Sequence, residues 1–215
     1  MAAHNDPVLV LRMANSITNL MGVCKFDEEF VASSGGAGPG EERFEVRGRM
    51  ASDLSCEEKE EVYRIFEENM SYYYSKTWGL KKDEKMNELF HPTSRLFCLY
   101  TKSPESPNSG SLAAFTIFRF EWDDDEEPEY PVLYCYELQI QSSFQGKGLG
   151  KKLMEILAAT AKKFKLEKVM LTCFNINEAA MSFYKAVGYV LDNNSPTKCG
   201  FPSDYEILSR EITKM

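Results

Sequence analysis

The chain has 215 residues, of which 43% are hydrophobic and 27% are charged, and its formal net charge is −8. This composition is typical of one soluble globular domain that is large enough to bury a single core. The negative charge argues against a general phosphate-binding surface, and therefore against direct nucleic-acid binding, and it favours a basic substrate or serves solubility alone.

Targeting and ligand-binding signals narrow the class of protein further. No run of about 18 uncharged apolar residues occurs, and the first five residues lack both a signal pattern and the Gly needed for myristoylation. The six cysteines form no Cys-x-x-Cys pair, and His4 and His91 are the only imidazoles. We therefore expect an intracellular protein without a membrane segment, a disulfide framework or a metal site.

The N-terminal part is predicted to form a helix and a connector. Apolar residues recur at roughly helical spacing between Asp6 and Asn19. Residues 33–40 read Ser-Ser-Gly-Gly-Ala-Gly-Pro-Gly, which is typical of a flexible connector. We therefore divide the chain into residues 1–40, the N-terminal helix with its connector, and residues 41–215, the main domain.

The middle of the chain predicts a strand, two helices and a hairpin. The elements, in chain order, are a strand over 44–50, a helix from Asp53 or Ser55 to about Tyr74, a short helix near 83–90, and strands over 95–101 and 112–120. Acidic residues in the first turn support the longer helix, because they complement its dipole. Dense turn chemistry in residues 103–110 predicts that the two strands around it pair as a hairpin.

The second half alternates strands with helices. We predict a strand over 132–141, a helix over 149–164, a strand over 168–174, a helix over 178–187, a strand from Tyr189 and a last strand over 205–212. Strands that alternate with helices after an antiparallel start predict an α/β fold with a mixed sheet covered by helices.

A glycine-rich segment carries the most specific signal. Residues 145–151 read Gln-Gly-Lys-Gly-Leu-Gly-Lys, directly after a predicted strand and at the start of a predicted helix. Glycines allow a close approach, so that backbone N–H groups and the helix dipole can hold a pyrophosphate. The segment is neither a Walker A sequence nor Gly-x-Gly-x-x-Gly, which argues against nucleoside triphosphates and dinucleotides. Taken alone, it is also compatible with a simple tight turn.

Two motifs together resemble a known superfamily. The Gln-x-x-Gly-x-Gly pattern resembles the acetyl-CoA pyrophosphate signature of the GNAT N-acetyltransferases, and residues 175–184, with Gly188 and Tyr189, resemble their second CoA motif. The resemblance implies a mixed, mostly antiparallel twisted sheet with splayed central strands, flanking helices, an extra N-terminal helix, acetyl-CoA as co-substrate and no metal. It places at the cofactor Leu138, Gln139, Ile140, Gln145, Gly146, Lys147, Gly148, Leu149, Gly150, Lys151, Asn175, Asn177, Ala180, Phe183 and Tyr184.

Longer strings within about residues 62–210 resemble the N-alpha-acetyltransferase D (NatD) family of histone N-terminal acetyltransferases. These strings include Leu-Tyr-Cys-Tyr-Glu at 133–137 and Ser-Asp-Tyr-Glu-Ile-Leu-Ser-Arg at 203–210. The resemblance implies acetylation of the Ser-Gly-Arg-Gly start of histones 4 and 2A, in cytoplasm and nucleus, by a monomer without an auxiliary subunit; ribosome association stays open. The substrate residues that it implies are Tyr73, Trp78, Glu121, Asp123, Tyr134, Tyr136 and Tyr205.

The chemistry needs a base, and the strand before the glycine-rich segment offers one. Its period of two makes Glu137 a lone carboxylate between apolar neighbours. A peptide α-amino group has a pKa of about 7.7 to 8.0 and must lose a proton before it attacks a thioester, so Glu137 is predicted to be the general base. The N–H near Leu138 would stabilise the oxyanion. Tyr184, at a position that GNAT enzymes often use, would protonate the departing thiolate, and Tyr136 completes the predicted catalytic set.

Alternatives stay open for each of these residues and for the function. Glu137 also fits a solvated strand face, Tyr184 a core aromatic, and the acids at 121–129 a solvated loop. Cys135 is disfavoured as a nucleophile because no His is nearby in sequence. The chain is also compatible with an acetyltransferase for another N-terminus, a lysine or a small amine, or with a catalytically silent module that binds histone tails.

Overall fold

A computed structural model of the protein describes residues 6–24, 29–32, 42–102, 110–124 and 127–212. The predicted connector at 33–40, the turn-rich residues 103–109 and two acids of the 121–129 loop lie outside these ranges. Within them, helices and strands succeed one another as an α/β arrangement.

The first half of the chain contains four helices and four strands in the described ranges. They are α1 (Pro7–Ser16), α2 (Leu20–Cys24), β1 (Glu29–Ala32), β2 (Glu42–Met50), α3 (Cys56–Lys76), α4 (Lys82–Leu89), β3 (Arg95–Lys102) and β4 (Leu112–Trp122). The helix predicted between Asp6 and Asn19 corresponds to α1, whereas α2 and β1 were not predicted. Ser55, and not Asp53, caps α3: its side chain accepts the N–H of Glu58, and the Glu58 carboxylate accepts the Ser55 N–H at 2.8 Å.

The second half follows the predicted order, with one addition. Its elements are β5 (Pro131–Ile140), α5 (Leu149–Lys163), β6 (Lys168–Phe174), α6 (Glu178–Ala186), β7 (Val190–Leu191), α7 (Pro196–Cys199) and β8 (Tyr205–Glu211). The predicted loop before β8 contains the short helix α7, which starts at a proline and ends at Gly200 with a positive φ of 81°. Proline at the first turn and glycine after the last are favourable helix boundaries.

The strands of the described ranges form one mixed sheet in the order β1-β2-β3-β4-β5-β6-β8-β7. Neighbouring strands β2 and β3 are antiparallel, as are β6 and β8, while β5 and β6 are parallel. The N–H of Thr101 donates to the carbonyl of Ser111 at 3.0 Å, as the predicted hairpin requires. Parallel pairing joins Leu133–Cys135 to Val169–Leu171, while β5 continues to Ile140. The predicted α/β fold with a mixed sheet is confirmed.

The described residues group into two compact units. The first unit contains residues 19–117 and 137–156, and the second contains residues up to 18, 118–136 and from 157 onwards. In the first unit, α3 buries an aromatic cluster in which the ring of Phe66 lies 5.8 Å from that of Tyr63 and 5.6 Å from that of Tyr74. In the second unit, Phe120 of β4 packs 5.1 Å from Phe164.

Candidate active site

The turn between β5 and α5 is shaped by two glycines with left-handed backbone. Gly146 has a φ of 75° and Gly148 a φ of 81°, and a Cβ added at either would meet no protein atom within 4 Å. The sequence interpretation was that glycine removes an obstruction. The structure adds that glycine also suits the backbone conformation, because other residues rarely adopt a positive φ. The space beside both glycines is open to a ligand.

Helix α5 begins directly at this turn. The N–H of Lys152 donates to the carbonyl of Gly148 at 3.0 Å, which is the first i to i−4 bond of the helix. The N–H groups of Leu149, Gly150 and Lys151 precede that bond and have no acceptor within the helix. Together with the positive end of the helix dipole, they form an anion site of the kind that holds pyrophosphates.

Two side chains that were predicted at the cofactor have partners inside the protein. Nζ of Lys147 lies 2.7 Å from both carboxylate oxygens of Glu42 on β2, and 5.0 Å from the ring centre of Phe144. Nε2 of Gln145 donates to the carbonyl of Ile140 at 3.2 Å. Lysine is a point charge on a flexible stem, so an incoming phosphate would compete with Glu42 for Lys147.

Backbone directions along β5 can be read from one hydrogen bond. The N–H of Gln141, just past the strand, donates to the carbonyl of Ala113 on β4 at 2.9 Å. Because N–H groups alternate between the two edges of a strand, those of Leu138 and Ile140 point away from β4. Asn69 of α3 donates to the carbonyl of Ile140 on that same edge, at 3.0 Å. The N–H of Leu138, which is predicted to stabilise the oxyanion, thus points away from β4.

Glu137 lies on the buried face of β5 and is not a lone carboxylate. Its side chain is 6% exposed, and Oε1 lies 2.8 Å from Nζ of Lys85 on α4. Its second oxygen accepts a hydrogen bond from Nε2 of Gln139 at 2.8 Å, and Oε1 of Gln139 accepts from Asn69 at 2.9 Å. The predicted alternation of faces is confirmed, because Cys135, Glu137 and Gln139 are buried while the residues between them are half-buried. The solvated-face alternative is wrong.

Lys85 is the residue that sequence reasoning missed. The Lys85 side chain is 6% exposed, and its Nζ pairs with the Glu88 carboxylate at 2.6 Å. The same Nζ lies 5.0 Å from the ring centre of Phe66 and 5.4 Å from that of Tyr74. Burial lowers the pKa of Lys85, but attraction to Glu137, Tyr74 and Glu88 outweighs burial, so that this pKa is raised. Lys85 is therefore held in its charged form among aromatic faces, which attract cations.

A signal for Lys85 was present in the sequence. It stands four residues before Leu89, so both lie on one face of the predicted helix, and Leu89 is fully buried. A lysine on the buried face of a helix requires a partner of opposite charge. That partner lies 52 positions further along the chain, a distance at which helical periodicity gives no information.

In the second unit, two tyrosines of β5 make specific hydrogen bonds. The hydroxyl of Tyr134 lies 2.6 Å from Oγ1 of Thr172, and the hydroxyl of Tyr136 donates to Glu121 at 2.8 Å. Burial raises the pKa of Tyr134 to about 12, although the bond with Thr172 opposes the shift. Burial, followed by the charge of Glu121, also raises the pKa of Tyr136. Both hydroxyls therefore stay protonated at neutral pH.

The two acids predicted to bind a substrate arginine differ in the solvent exposure of their side chains. The Glu121 side chain is 33% exposed and lies 3.7 Å from Arg119, whose guanidinium stacks 4.1 Å from the ring centre of Tyr136. Asp123 is only 6% exposed at the side chain and accepts the N–H groups of Glu129 and Tyr130. The carboxylate of Asp123 closes its own loop, and its substrate-binding role stays a prediction. Glu121 is the accessible acid of the pair.

The remaining predicted substrate residues fall into two groups. Trp78 is 55% exposed and lies edge-on to Tyr74, with 6.1 Å between ring centres. Tyr73 on α3 and Tyr205, the first residue of β8, are half-buried. None of the three is a fully buried core residue, so core packing alone does not account for them.

Helix α6 carries the second predicted CoA motif. The side chain of Asn177 caps the helix by accepting the N–H of Ala180 at 3.2 Å, and Asn175 donates to the carbonyl of Ser203 at 2.9 Å. Tyr184 is 8% exposed and packs between Phe183 and Tyr189 at 5.2 Å and 6.0 Å. The two asparagines thus have structural roles here, and the predicted contacts of this helix with CoA stay predictions.

Comparison with known families decides the identity of the fold. A sequence profile of the acetyltransferase (GNAT) family matches residues 59–189. The chain belongs to this family. The matched range begins within α3 and ends just after α6, so it includes both the glycine turn and Glu137.

Relatives and solved structures of the GNAT family support this placement. N-alpha-acetyltransferase 40 of Saccharomyces cerevisiae is 30% identical over 103 residues, which cover 41% of this chain and 36% of that protein. Spermine/spermidine N(1)-acetyltransferase of Bacillus subtilis is 28% identical over 93 residues, covering 43% and 61%. The match spans less than two thirds of either relative. Arabidopsis thaliana NAA60, solved with a bisubstrate analogue, has the same fold, with a TM-score of 0.56 at 13% identity, covering 78% of this chain and 99% of that one.

Acetyltransferases of the GNAT family use acetyl-CoA, and the turn before α5 fits its pyrophosphate. The fit rests on open space beside Gly146 and Gly148 and on the N–H groups of the first helical turn. Among the residues that the structure describes, no group of three or more His, Cys, Asp and Glu side chains is arranged to hold a metal. Nor is any helix in the described ranges long and apolar enough to cross a membrane.

Proposed function

We propose that this protein transfers the acetyl group of acetyl-CoA to the N-terminal α-amino group of histones 4 and 2A. The observation that carries the proposal is a buried, ion-paired carboxylate, Glu137, on the strand that leads into the glycine turn before α5. The NatD-like strings between residues 133 and 210 support the histone substrate, and the 30% identity to yeast N-alpha-acetyltransferase 40 supports an α-amino group as the acceptor. The histone tails are the proposed partners. We propose that the enzyme binds them as a monomer, in the cytoplasm and the nucleus.

The proposed mechanism is direct attack in a ternary complex. Acetyl-CoA supplies an activated thioester carbonyl. Glu137, fixed by Lys85 and Gln139, takes the proton from the substrate amine, directly or through a water, which contributes typically about 10² to 10⁴ in rate. The N–H of Leu138 points away from β4 and is the proposed oxyanion donor. Tyr184 is the proposed donor of a proton to the departing thiolate.

Recognition of the third residue of the Ser-Gly-Arg-Gly start is assigned to Glu121. Arginine pairs best with carboxylates, and Glu121 is held by the hydroxyl of Tyr136 while a third of its side chain stays exposed. Tyr73, Trp78, Tyr134 and Tyr205 are proposed to contact the rest of the peptide. The acids beyond Asp123 would attract a basic tail without fixing its position.

A peptide panel tests the proposal. The protein and acetyl-CoA are incubated with a Ser-Gly-Arg-Gly peptide, its pre-acetylated form and a peptide whose only free amine is a lysine, and products are identified by mass spectrometry. We expect one acetyl group on the first peptide, located at the α-amine, and none on the others. Acetylation of the lysine peptide at an equal rate would contradict the N-terminal assignment.

Polyamine acetylation is the second candidate, and two observations favour it. A relative of 28% identity is a spermine/spermidine N(1)-acetyltransferase, and the chain is acidic overall. Spermidine is therefore included in the panel. A kcat/KM for spermidine above that for the Ser-Gly-Arg-Gly peptide would replace the proposed substrate while the acetyl transfer stands.

A further inference from the structure

We infer that Lys85 is a positioning residue for the reaction: it keeps Glu137 ionised and fixes the direction of its carboxylate, so that α4 controls the base on β5. This inference rests on the proposed function, because it assigns a partner to the proposed base. All residues involved lie in the first compact unit.

Each carboxylate oxygen of Glu137 lies at hydrogen-bond distance from a defined donor. Nζ of Lys85 lies 2.8 Å from Oε1, and Nε2 of Gln139 lies 2.8 Å from Oε2. Gln139 is itself oriented by Asn69 of α3 at 2.9 Å. With both oxygens fixed from different directions, the carboxylate plane has a set orientation, which is what a proton acceptor needs.

The groups that face this carboxylate come from three elements. From α4 come Lys85 and, beyond it, Glu88, which shares the ammonium at 2.6 Å. From α3 comes Tyr74, whose pKa is raised by burial and then by the charge of Glu137. From β5 itself comes the neutral amide of Gln139. Among these groups Lys85 carries the positive charge that compensates the burial of the Glu137 carboxylate.

Removal of Lys85 therefore has a predictable sign. A carboxylate that is 6% exposed is disfavoured as an anion by desolvation, and an opposite charge within about 4 Å is what compensates this. Without the ammonium, burial favours the neutral form of the Glu137 carboxyl group. A protonated Glu137 accepts no further proton, so turnover fails on the acidic side first.

The test is the ratio of kcat/KM between Lys85→Met and the wild type, measured with one peptide from about pH 6 to about pH 9. Ionisation of the substrate amine affects both enzymes equally and cancels in the ratio. We expect the ratio to fall about ten- to a hundredfold towards the acidic end and to recover towards the alkaline end. A loss that is the same at every pH would mean a structural role only and would overturn the inference.

Two variants on the same helix control the experiment. The Glu88 side chain, which also pairs with Lys85, is 42% exposed, and Glu88→Gln should leave the ratio to the wild type independent of pH. Lys85→Arg keeps the charge and should also give a flat ratio. If Lys85→Met does not fold, Lys85→Arg decides: a ratio that falls in acid despite the retained charge overturns the inference.

Glu137→Gln separates this inference from the proposed function. If the wild type acetylates none of the panel substrates, the proposed function fails. If the wild type is active and Glu137→Gln keeps its turnover, the base assignment fails and the role of Lys85 fails with it. If Glu137→Gln loses at least about 10² in turnover while the Lys85→Met ratio is flat, the function stands and only the role of Lys85 is overturned.

Discussion

The Nζ atom of Lys85 lies 2.8 Å from Oε1 of Glu137, and each of these side chains is only 6% exposed. Two opposite charges that are removed from water together depend on each other, since either one alone would be left in a medium of low polarity. The pair thus ties the stability of the protein to the same contact that orients the proposed base.

The first prediction concerns folding. Lys85→Met or Glu137→Gln alone should lower the free energy of unfolding by about 3 to 5 kcal/mol, because each removes one member of a buried ion pair. The double variant should lose less than the two single losses added together. Urea unfolding of all four proteins measures this coupling. Lys81→Met, in the exposed pair with Glu84, serves as the control and should scarcely change the midpoint.

The second prediction concerns cofactor binding. Gly148→Glu should abolish measurable acetyl-CoA binding in calorimetry, because it places a negative side chain in the open space where the phosphates would lie. Gly200→Glu is the matched control, since Gly200 has the same φ of 81° and open surroundings at the end of α7. It should carry a similar backbone strain of about 1 to 3 kcal/mol and bind acetyl-CoA normally. Equal affinities in both variants would contradict the pyrophosphate site.

Prediction from sequence was most successful where the pattern is local. The bounds of β6 were predicted to the residue, and the cap of α3 was one of two candidates, since strand periodicity and capping chemistry depend on neighbouring residues. The turn at Gly146 and Gly148 was also recognised, although the positive φ of its glycines was not predicted. Lys85 beside Glu137 and Arg119 above Tyr136 were missed, because a side-chain partner distant in sequence is set by tertiary packing.

The third prediction concerns recognition of the arginine at position 3 of the peptide. Glu121→Gln should lower kcat/KM for the Ser-Gly-Arg-Gly peptide several-fold to about a hundredfold, since hydrogen bonds to charged groups contribute about 1.5 to 3 kcal/mol. On a peptide with Ala in place of that Arg, the same variant should cost little further. The assay is run at low and at moderate ionic strength. If the losses in kcat/KM from Glu121→Gln and from the Arg-to-Ala change in the peptide simply add, the acidic residues attract the peptide only by general charge, and Glu121 has no specific role in its recognition.

Asp123 gives the contrasting prediction. Asp123→Asn should leave the preference for Arg over Ala in the peptide unchanged, because its carboxylate is turned towards the N–H groups of Glu129 and Tyr130. It should instead lower the melting temperature, since Lys168 also lies 3.7 Å from this carboxylate. The same two-peptide assay and a thermal melt decide the matter. A lost preference for Arg would place Asp123 in the substrate site.

The fifth prediction concerns alkaline pH. The pKa of Tyr134 is about 12 in the folded protein, against about 10 for an ordinary tyrosine, so the unfolded chain releases this proton first. Stability is therefore lost as pH rises from about 10 to about 12, by roughly 1.4 kcal/mol for each unit of pKa difference. Tyr134→Phe should lose less over that range than the wild type. Identical curves from denaturant unfolding at both ends of the range would show that Tyr134 does not titrate as described.

Asp123 has one more consequence, for protein engineering. Its backbone N–H donates to the carbonyl of Tyr130 at 3.0 Å, and its carboxylate accepts the N–H groups of residues 129 and 130. These hydrogen bonds hold the two ends of the acidic segment together. When the ends of a loop are already held together, lengthening the loop adds only a small entropic free-energy cost, about 0.6 kcal/mol for each doubling of its length. The segment between Asp123 and Glu129 is therefore a suitable insertion point for an epitope tag or a small reporter domain.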